Sequence, residues 1–263
     1  MKRDRLSITP ADVAAGLDYN RQTGLFIRRK KINQAAAGSV AGVPVKSGAR
    51  QIKVNGIDFM DYDLAWLMKT GNHPSGKIIP IDGNRSNCAA DNLMEIHVGE
   101  ELTPEIVRAL LDYDRGTGEF RWKFSVGQRA KSGGAAGCLG PNGYVHINVI
   151  GHACYAHRLA WLYVYGEWPS EQVDHINGKR NDNRIANLRD VSHVGNCQNK
   201  RAALPSNKSS GLLGVSWSSA MKKYGAQIVC NGVTHKLGYF DDKHDAHAAY
   251  VDAKRKMHST CTI

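Results

Sequence analysis

An internal repeat is the feature of this chain that most restricts its fold. Residues 17–26, LDYNRQTGLF, recur as residues 111–120, LDYDRGTGEF, at an offset of 94 positions. Further along, the tetrapeptide LAWL at residues 64–67 recurs at residues 159–162, at an offset of 95. Self-similarity at a fixed period indicates that one supersecondary unit is built twice. The first hundred residues are therefore predicted to adopt the same fold as the second hundred.

The chain is predicted to divide into three parts. Two copies of the repeat occupy residues 1–99 and 100–204, and a stretch rich in Pro, Ser and Gly at residues 204–211 indicates a linker. Residues 205–263 follow a different pattern of apolar spacing. Three strands and a helix are predicted there, at residues 214–217, 224–230, 233–240 and 245–256. The predicted class is α+β, with a duplicated module followed by a small three-stranded antiparallel sheet plus helix.

The charge of the chain indicates the kind of partner it binds. Lys and Arg number 35 against 24 Asp and Glu, and the net charge is +11. Such an excess favours a polyanion, because neutralising phosphates releases counterions. No apolar run approaches the ~18 residues that a membrane span needs, and residues 1–10 lack the apolar region of a secretory signal. We therefore expect a cytoplasmic protein that does not bind membranes.

The six cysteines are scattered along the chain without a Cys-x-x-Cys pair. This spacing disfavours a structural zinc ribbon and a disulfide framework. Reduced thiols that pack as small apolar residues are expected instead.

The second copy contains a predicted strand, loop, strand and helix. The strands are predicted at residues 172–176 and 188–191, and Asn177-Gly178 in the loop between them favours a reverse turn. Ser192 is predicted to cap the helix that follows. This order would bring the end of the first strand close to the first turn of the helix.

Two oxygen-bearing side chains and a histidine would meet in this arrangement. Asp174 and Asn196 would share one hard divalent cation, which prefers oxygen ligands. His175 would accept a proton from water. Taken singly, each residue is ordinary surface, turn or capping chemistry. Their order in a basic chain favours a hydrolytic site.

This stretch resembles the HNH homing-type endonucleases of phages and group I introns, whose nuclease core is the ββα-metal fold. The resemblance rests on Asp174-His175, the Asn-Gly turn, residues 182–184, Asn187-Leu188 and the late Asn196. Asn196 stands where the name-giving pattern has a second histidine, as it does in this branch of the family.

The resemblance implies a metal-dependent DNA endonuclease. His175 would be the general base, and Asp174 and Asn196 the metal ligands. Asn187 would brace the loop and orient the histidine. Each active site would hold one Mg²⁺ or Mn²⁺, and the products would carry a 5′-phosphate and a 3′-hydroxyl.

The first copy is predicted to be a degenerate ββα-metal (HNH) module. Ile79-Pro80 occupies the position of Asp174-His175, and Glu101 that of Asn196, so cleavage by this copy is not expected. Asn92, at the position of Asn187, is consistent with a retained fold. The copy either grips DNA in the place of a dimer partner, which the basic run at residues 28–31 favours, or only buries surface.

Three arginines of the second copy are candidates for contacts with DNA phosphates, because guanidinium forks match phosphate oxygens. Arg158 lies near the start of a helix predicted at residues 156–165, and Arg180 and Arg184 lie in the loop after the histidine. The alternative for each is a solvated charge, and Asp182 is a competing partner for Arg184.

The C-terminal segment resembles the APETALA-type (ethylene-response-factor-like) DNA-binding domain. The resemblance is carried by GVxW at residues 214–217, YxAxI at 224–228 and KLGYF at 236–240, followed by an Ala-rich helix. It implies a sheet that enters the major groove of double-stranded DNA. The candidate contacts are Lys222, Tyr224, Gln227 and His235.

The predicted function is endonucleolytic hydrolysis of DNA. Nicking is favoured, because one copy alone carries the full set of groups. A monomer would nick one strand, and cutting both strands would require a second molecule, as in a homodimer, or sequential events. A non-catalytic, sequence-specific DNA-binding protein or repressor is the main alternative, and the intact set of Asp174, His175 and Asn196 disfavours it. An RNA-acting enzyme is a third possibility, which the C-terminal resemblance disfavours.

Overall fold

A computed structural model describes residues 4–125, 130–203, 206–258 and 260–262. The predicted linker residues Leu204 and Pro205 lie outside the described residues. The chain forms two compact units. The first comprises Met1–Asp114, Glu119–Gly140 and Val145–Glu167, and the second comprises Arg115–Gly118, Pro141–Tyr144 and Trp168–Ile263. The domain limits 1–99, 100–204 and 205–263 stay a prediction.

The first copy of the repeat alternates short antiparallel sheets with helices. In chain order its elements are α1 (Pro10–Ala14), β1 (Leu17–Tyr19), β2 (Phe26–Arg28), β3 (Val43–Pro44), β4 (Arg50–Val54), β5 (Ile57–Met60), α2 (Asp61–Thr70), β6 (Lys77–Pro80) and β7 (Leu93–Ile96). Strand β1 pairs with β2, β4 pairs with both β3 and β5, and β6 pairs with β7. The start of α1 is fixed by Thr9 and Asp12, which form a capping box around Pro10.

The second copy repeats this order. Its elements are α3 (Pro104–Leu110), β8 (Leu111–Tyr113), β9 (Phe120–Trp122), β10 (Cys138–Leu139), β11 (Val145–Val149), β12 (His152–Tyr155), α4 (Ala156–Tyr165), β13 (Gln172–His175), β14 (Leu188–Val191) and α5 (His193–Gln198). Strands β8 and β9 begin 94 residues after β1 and β2, and every element from β10 to β14 begins 95 residues after its counterpart. The repeat in the sequence is therefore a repeat of element order, and from β1 to β7 also of element length.

The two copies differ after their last paired strands. In the second copy the Ser192 hydroxyl accepts a hydrogen bond from the Gly195 N–H at 3.1 Å and caps α5, as predicted. At the corresponding place in the first copy, residues 97–102 form no helix. His97 replaces the capping serine there, and Gly99 adopts a left-handed φ of 86° that interrupts a helix. The strand–strand–helix unit is thus complete in the second copy alone.

Helices α2 and α4 share their buried positions and the way they end. Leu64 and Leu67 of α2 are fully buried in a core that also contains Val13 and Phe26. Leu159 and Leu162, at the same positions of α4, are buried to the same degree. Both helices end at a glycine in the left-handed conformation, Gly71 and Gly166, each with φ of 81°. The predicted end of α4 is confirmed.

The C-terminal segment forms a three-stranded antiparallel sheet with one helix against it. Its elements are β15 (Val215–Ser218), β16 (Lys223–Cys230), β17 (Val233–Phe240) and α6 (Lys243–Met257), in the sheet order β15-β16-β17. Val215, Ala226 and Ala246 form the buried contact between sheet and helix. Gly214 leaves room for the ring of Tyr250, which a Cβ at that position would meet at 1.9 Å. Among the described residues, no helix is long and apolar enough to cross a membrane.

Candidate active site

Strands β13 and β14 place the Asp-His pair inside the second unit. The two strands pair antiparallel, with Asp174 opposite Arg189 and His175 opposite Leu188. Only 8% of Asp174 and 4% of His175 is exposed. A buried carboxylate and a buried imidazole need polar partners. The contacts of these two side chains therefore define the site.

Asn187 braces the loop that joins the two strands. Its Oδ1 accepts a hydrogen bond from the Asn177 N–H at 2.9 Å, and its Nδ2 donates to the Asp182 carbonyl at 2.8 Å. The Asn187 carbonyl also accepts from the Ile176 N–H. Gly178 follows in the left-handed conformation, with φ of 74°, and its N–H closes the turn on the His175 carbonyl. The loop is thereby held directly after the histidine.

The imidazole of His175 lies between Asn183 and Tyr144. Its Nε2 is 3.4 Å from Asn183 Oδ1, and its ring centroid is 5.8 Å from that of Tyr144. Burial lowers the pKa of His175, and the hydrogen bond with Asn183 offsets this only in part. The imidazole is consequently neutral at neutral pH, which is the form that accepts a proton.

The carboxylate of Asp174 is held through one oxygen. Oδ2 accepts from Arg189 Nε at 3.0 Å, from Arg189 Nη2 at 2.7 Å and from Asn199 Nδ2 at 2.9 Å. Asn196, in α5, is held through its nitrogen, because Nδ2 donates to Gln172 Oε1 at 2.7 Å. No hydrogen bond from any described residue reaches Oδ1 of either Asp174 or Asn196. Each side chain therefore keeps an oxygen available as a ligand.

Asp174, Asn196 and His175 line a single cavity of about 480 Å³. An aspartate oxygen and an amide oxygen are hard donors, which suits a divalent cation that keeps several waters, such as Mg²⁺. Within the described part of the chain, no group of three or more His, Cys, Asp or Glu side chains is placed to hold a metal. The donor set thus fits a cation with two protein ligands and does not fit a closed, fully protein-ligated centre.

Basic side chains line the same cavity. Arg180 lies over the Tyr144 ring at 5.2 Å, and its Nη1 donates to the Asn142 carbonyl at 2.9 Å. Lys200 and Arg201 are further lining residues. A cavity with this lining attracts an anion.

The other two predicted phosphate contacts lie outside this lining. Arg184 forms a bidentate pair with Asp182, at 2.7 and 2.6 Å, and this pair holds the pKa of Asp182 down at about 2. Asp182 is thus the partner of Arg184, the alternative noted from the sequence. Arg158 lies half-buried in the first turn of α4, which belongs to the first unit.

The four predicted contacts of the C-terminal sheet lie in different places. Gln227 is exposed between the buried Ala226 and Ile228, so it lies on the face away from α6. Tyr224 packs on the helix side, against Trp217 at 4.9 Å. His235 is exposed and pairs with Ile228 in the sheet register, and Lys222 lies in the turn before β16. Gln227 alone among the four is presented on the open face within the strands.

Sequence reasoning missed several residues of the site. Arg189 and Asn199 contact Asp174, Asn183 contacts His175, and Tyr144 contacts both His175 and Arg180. Arg189 had a signal in the sequence, since it is opposite Asp174 in a strand pair whose limits were predicted. Tyr144 had none, because it is 31 positions from the histidine and reaches it through the fold alone.

Two segments of the chain match the family model for HNH endonucleases, residues 63–99 and 154–198. The second HNH match runs from β12 to the end of α5 and includes Asp174, His175, Asn187 and Asn196. The first HNH match runs from α2 to the turn after β7, with Pro80 at the position of His175. The predicted HNH resemblance is confirmed for these segments, and it supports nuclease activity on DNA with a divalent metal ion. No curated protein and no solved structure matches the chain.

Proposed function

We propose that the protein is a metal-dependent DNA endonuclease that nicks one strand, with His175 as its general base. One observation carries the proposal. A buried imidazole, whose pKa is lowered by burial, shares a cavity with basic side chains and with Asp174 and Asn196, each of which has an oxygen that accepts no hydrogen bond from the described residues. Proton acceptor, cation ligands and anion-attracting groups are the parts that phosphodiester hydrolysis needs.

His175 supplies the basic atom. In the tautomer in which Nε2 donates to Asn183 Oδ1, the nitrogen that accepts a proton is Nδ1. That nitrogen takes the proton of a water as the water attacks phosphorus. Asn187 and the turn at Gly178 keep the strand end, and hence the ring, in a fixed position. The Tyr144 ring, 5.8 Å away between centroids, also limits the rotation of the imidazole.

Asp174 and Asn196 would hold one Mg²⁺ or Mn²⁺ through their Oδ1 atoms, and such a cation polarises the phosphate and stabilises charge on the departing 3′-oxygen. Arg180, Lys200 and Arg201 orient the scissile strand by contacts with neighbouring phosphates. The products are a 5′-phosphate and a 3′-hydroxyl.

A single strand is cut because one copy carries the chemistry. Pro80 pairs with Leu93 in the same register in which His175 pairs with Leu188, so a residue without a titratable side chain occupies the place of the base. The first copy serves as a degenerate HNH module that grips DNA. The C-terminal sheet, as an APETALA-type domain, reads the target sequence.

A second candidate function is DNA binding without cleavage. Arg189 already pairs with Asp174 through two hydrogen bonds, from Nε and Nη2, to the single oxygen Oδ2. A carboxylate paired in this way is also found in purely structural ion pairs. Cleavage and binding therefore have to be measured separately.

The test is nicking of supercoiled plasmid by the full chain in Mg²⁺, in EDTA, and with His175→Ala. His97→Ala is the matched control, since His97 is exposed and belongs to the first copy. We expect relaxed circles with the wild type and with His97→Ala in Mg²⁺, and none in the other two conditions. Retardation of DNA in a gel without cutting in Mg²⁺ or Mn²⁺ would contradict the nuclease and favour the binding protein.

A further inference from the structure

Residues 260–262 lie against the strands and the helix of the candidate active site. Thr260 Oγ1 donates to the Gly195 carbonyl of α5 at 2.6 Å, and its methyl group lies next to Gly195. Arg201 Nη2 donates to Thr262 Oγ1 at 2.6 Å and to the Ile176 carbonyl at 2.8 Å. We call residues 260–262 the C-terminal clamp.

The clamp fixes the orientation of the Asn199 amide. The Thr262 hydroxyl donates to Asn199 Oδ1 at 2.5 Å, so the Nδ2 group is directed at Asp174 Oδ2. The same Nδ2 group lies 3.3 Å from the His175 carbonyl. A flipped amide would place its oxygen against the carboxylate, where two acceptors repel each other. The hydroxyl of Thr262 therefore selects the amide orientation that holds Asp174.

The clamp also fixes Arg189. Nη2 of this arginine donates to the Thr260 carbonyl at 2.6 Å as well as to Asp174 Oδ2 at 2.7 Å. Three hydrogen bonds thus converge on Oδ2, and both residues that donate them are held by the clamp. The carboxylate cannot rotate freely, and Oδ1 is left as its ligand atom.

The clamp continues from α6, which packs on the C-terminal sheet. Lys254 of α6 is buried and donates to the carbonyl of Lys200, the residue after Asn199. His258 bonds the Val229 carbonyl of β16 at 2.9 Å. One continuous stretch of chain therefore contacts the C-terminal sheet at one end and the Asp174 network at the other.

We propose that the C-terminal clamp positions the metal-binding carboxylate, acting on Asp174 through Asn199 and Arg189. Residues that hydrogen-bond a ligating carboxylate orient it, and losing one commonly lowers metal affinity by about 10- to 100-fold. The inference rests on the proposed function, because it assigns Asp174 as a cation ligand. It adds that the nuclease site is incomplete without residues that follow the C-terminal sheet and helix.

The test uses Thr262→Val, which removes the hydroxyl and keeps the shape, with Thr262→Ser as the matched control that keeps the hydroxyl. Binding of Mn²⁺ alone is measured by electron paramagnetic resonance on the full chain carrying His175→Ala, which cannot cut. We expect Thr262→Val to weaken Mn²⁺ binding about 3- to 10-fold, less than loss of a direct partner would. Thr262→Ser should bind as the parent does. Equal Mn²⁺ binding by the valine and serine variants would overturn the proposal.

A second measurement separates this inference from the proposed nuclease. The shift in unfolding midpoint caused by Thr262→Val is compared in the wild type and in an Asp174→Ala background. If the clamp acts on Asp174, Thr262→Val should shift the unfolding midpoint at least twofold less in the Asp174→Ala background than in the wild type. This result is expected even if the protein never cuts DNA. Equal shifts in both backgrounds would refute the clamp, whereas a protein that binds Mn²⁺ but leaves plasmid intact would refute the nuclease alone.

Discussion

Replacement of Asn187 by alanine is expected to damage both the stability and the chemistry of the second copy. The change removes the acceptor of the Asn177 N–H and the donor to the Asp182 carbonyl. Each half-buried backbone group left unpaired costs about 1–2 kcal/mol, so the free energy of unfolding should fall by about 2–4 kcal/mol. The loop would then no longer fix the end of β13. A displacement of about 1 Å at the proposed general base, His175, would lower the rate of nicking by about 100-fold.

The first copy offers a matched control in Asn92→Ala. Asn92 Oδ1 accepts from the Asp82 N–H at 3.0 Å, and its Nδ2 donates to the Asn87 carbonyl at 2.8 Å, so the brace is the same. Asn92→Ala should therefore lower the free energy of unfolding by about as much as Asn187→Ala does. Nicking per folded molecule should be unchanged, because Pro80 stands in the place of the base.

Urea unfolding, amide hydrogen exchange and plasmid nicking together decide the outcome. Exchange should accelerate at Asn177 in Asn187→Ala and at Asp82 in Asn92→Ala. If Asn187→Ala unfolds and nicks like the wild type, Asn187 does not brace the loop. If Asn92→Ala reduces nicking as strongly as Asn187→Ala does, the effect on nicking does not come from the loop after His175.

Three other predictions concern pH and DNA affinity. Burial lowers the pKa of His175, so in a pH profile of nicking the activity should be lost on the acid side below the ordinary value of about 6.5. The free energy of unfolding should also decrease as the pH falls below that value, because the unfolded chain binds the proton more tightly than the folded chain does. Loss of activity already above about pH 7 would contradict a buried neutral base. The pKa of Asp182 is about 2 because of Arg184. In urea unfolding, the wild type should therefore be more stable than Arg184→Gln by a full, constant amount above about pH 4, and this difference should shrink as the pH falls towards 2. A difference in stability that does not change with pH would rule this pair out as its cause. Gln227→Ala should weaken binding to the preferred DNA site by about 1–3 kcal/mol in a gel-shift titration. Tyr224→Phe, on the helix side of the sheet, should bind with the affinity of the wild type. A larger loss of affinity in Tyr224→Phe than in Gln227→Ala would place the DNA on the other face of the sheet.

Local chemistry predicted much of the fold. The strand at Leu188–Val191 and the helix end at Tyr165 match their predicted limits, and Ser192 caps α5 as its hydroxyl and position indicate. These features depend on residues a few positions apart. Turn, cap and alternation rules act over that range.

Contacts between distant segments could not be predicted in this way. Thr262 is 63 positions from Asn199, and nothing in either residue type indicates the other. The loss of the helix in the first copy was also missed. The same fold was predicted for the first copy because its strands and Asn92 match those of the second. The helix is absent because His97 stands where Ser192 caps α5 and because Gly99 adopts the left-handed conformation.

The missing helix of the first copy has an evolutionary consequence. Replacing Ile79-Pro80 by Asp-His would introduce two side chains of the proposed catalytic set but not the helix that carries the third. Residues 97–102 would also have to gain a cap and give up the left-handed turn at Gly99, whose N–H is bonded to the Ile150 carbonyl. No single one of these changes confers activity, so selection for cleavage cannot reward them one at a time. On the proposed function, the first copy therefore has no stepwise route to a second active site.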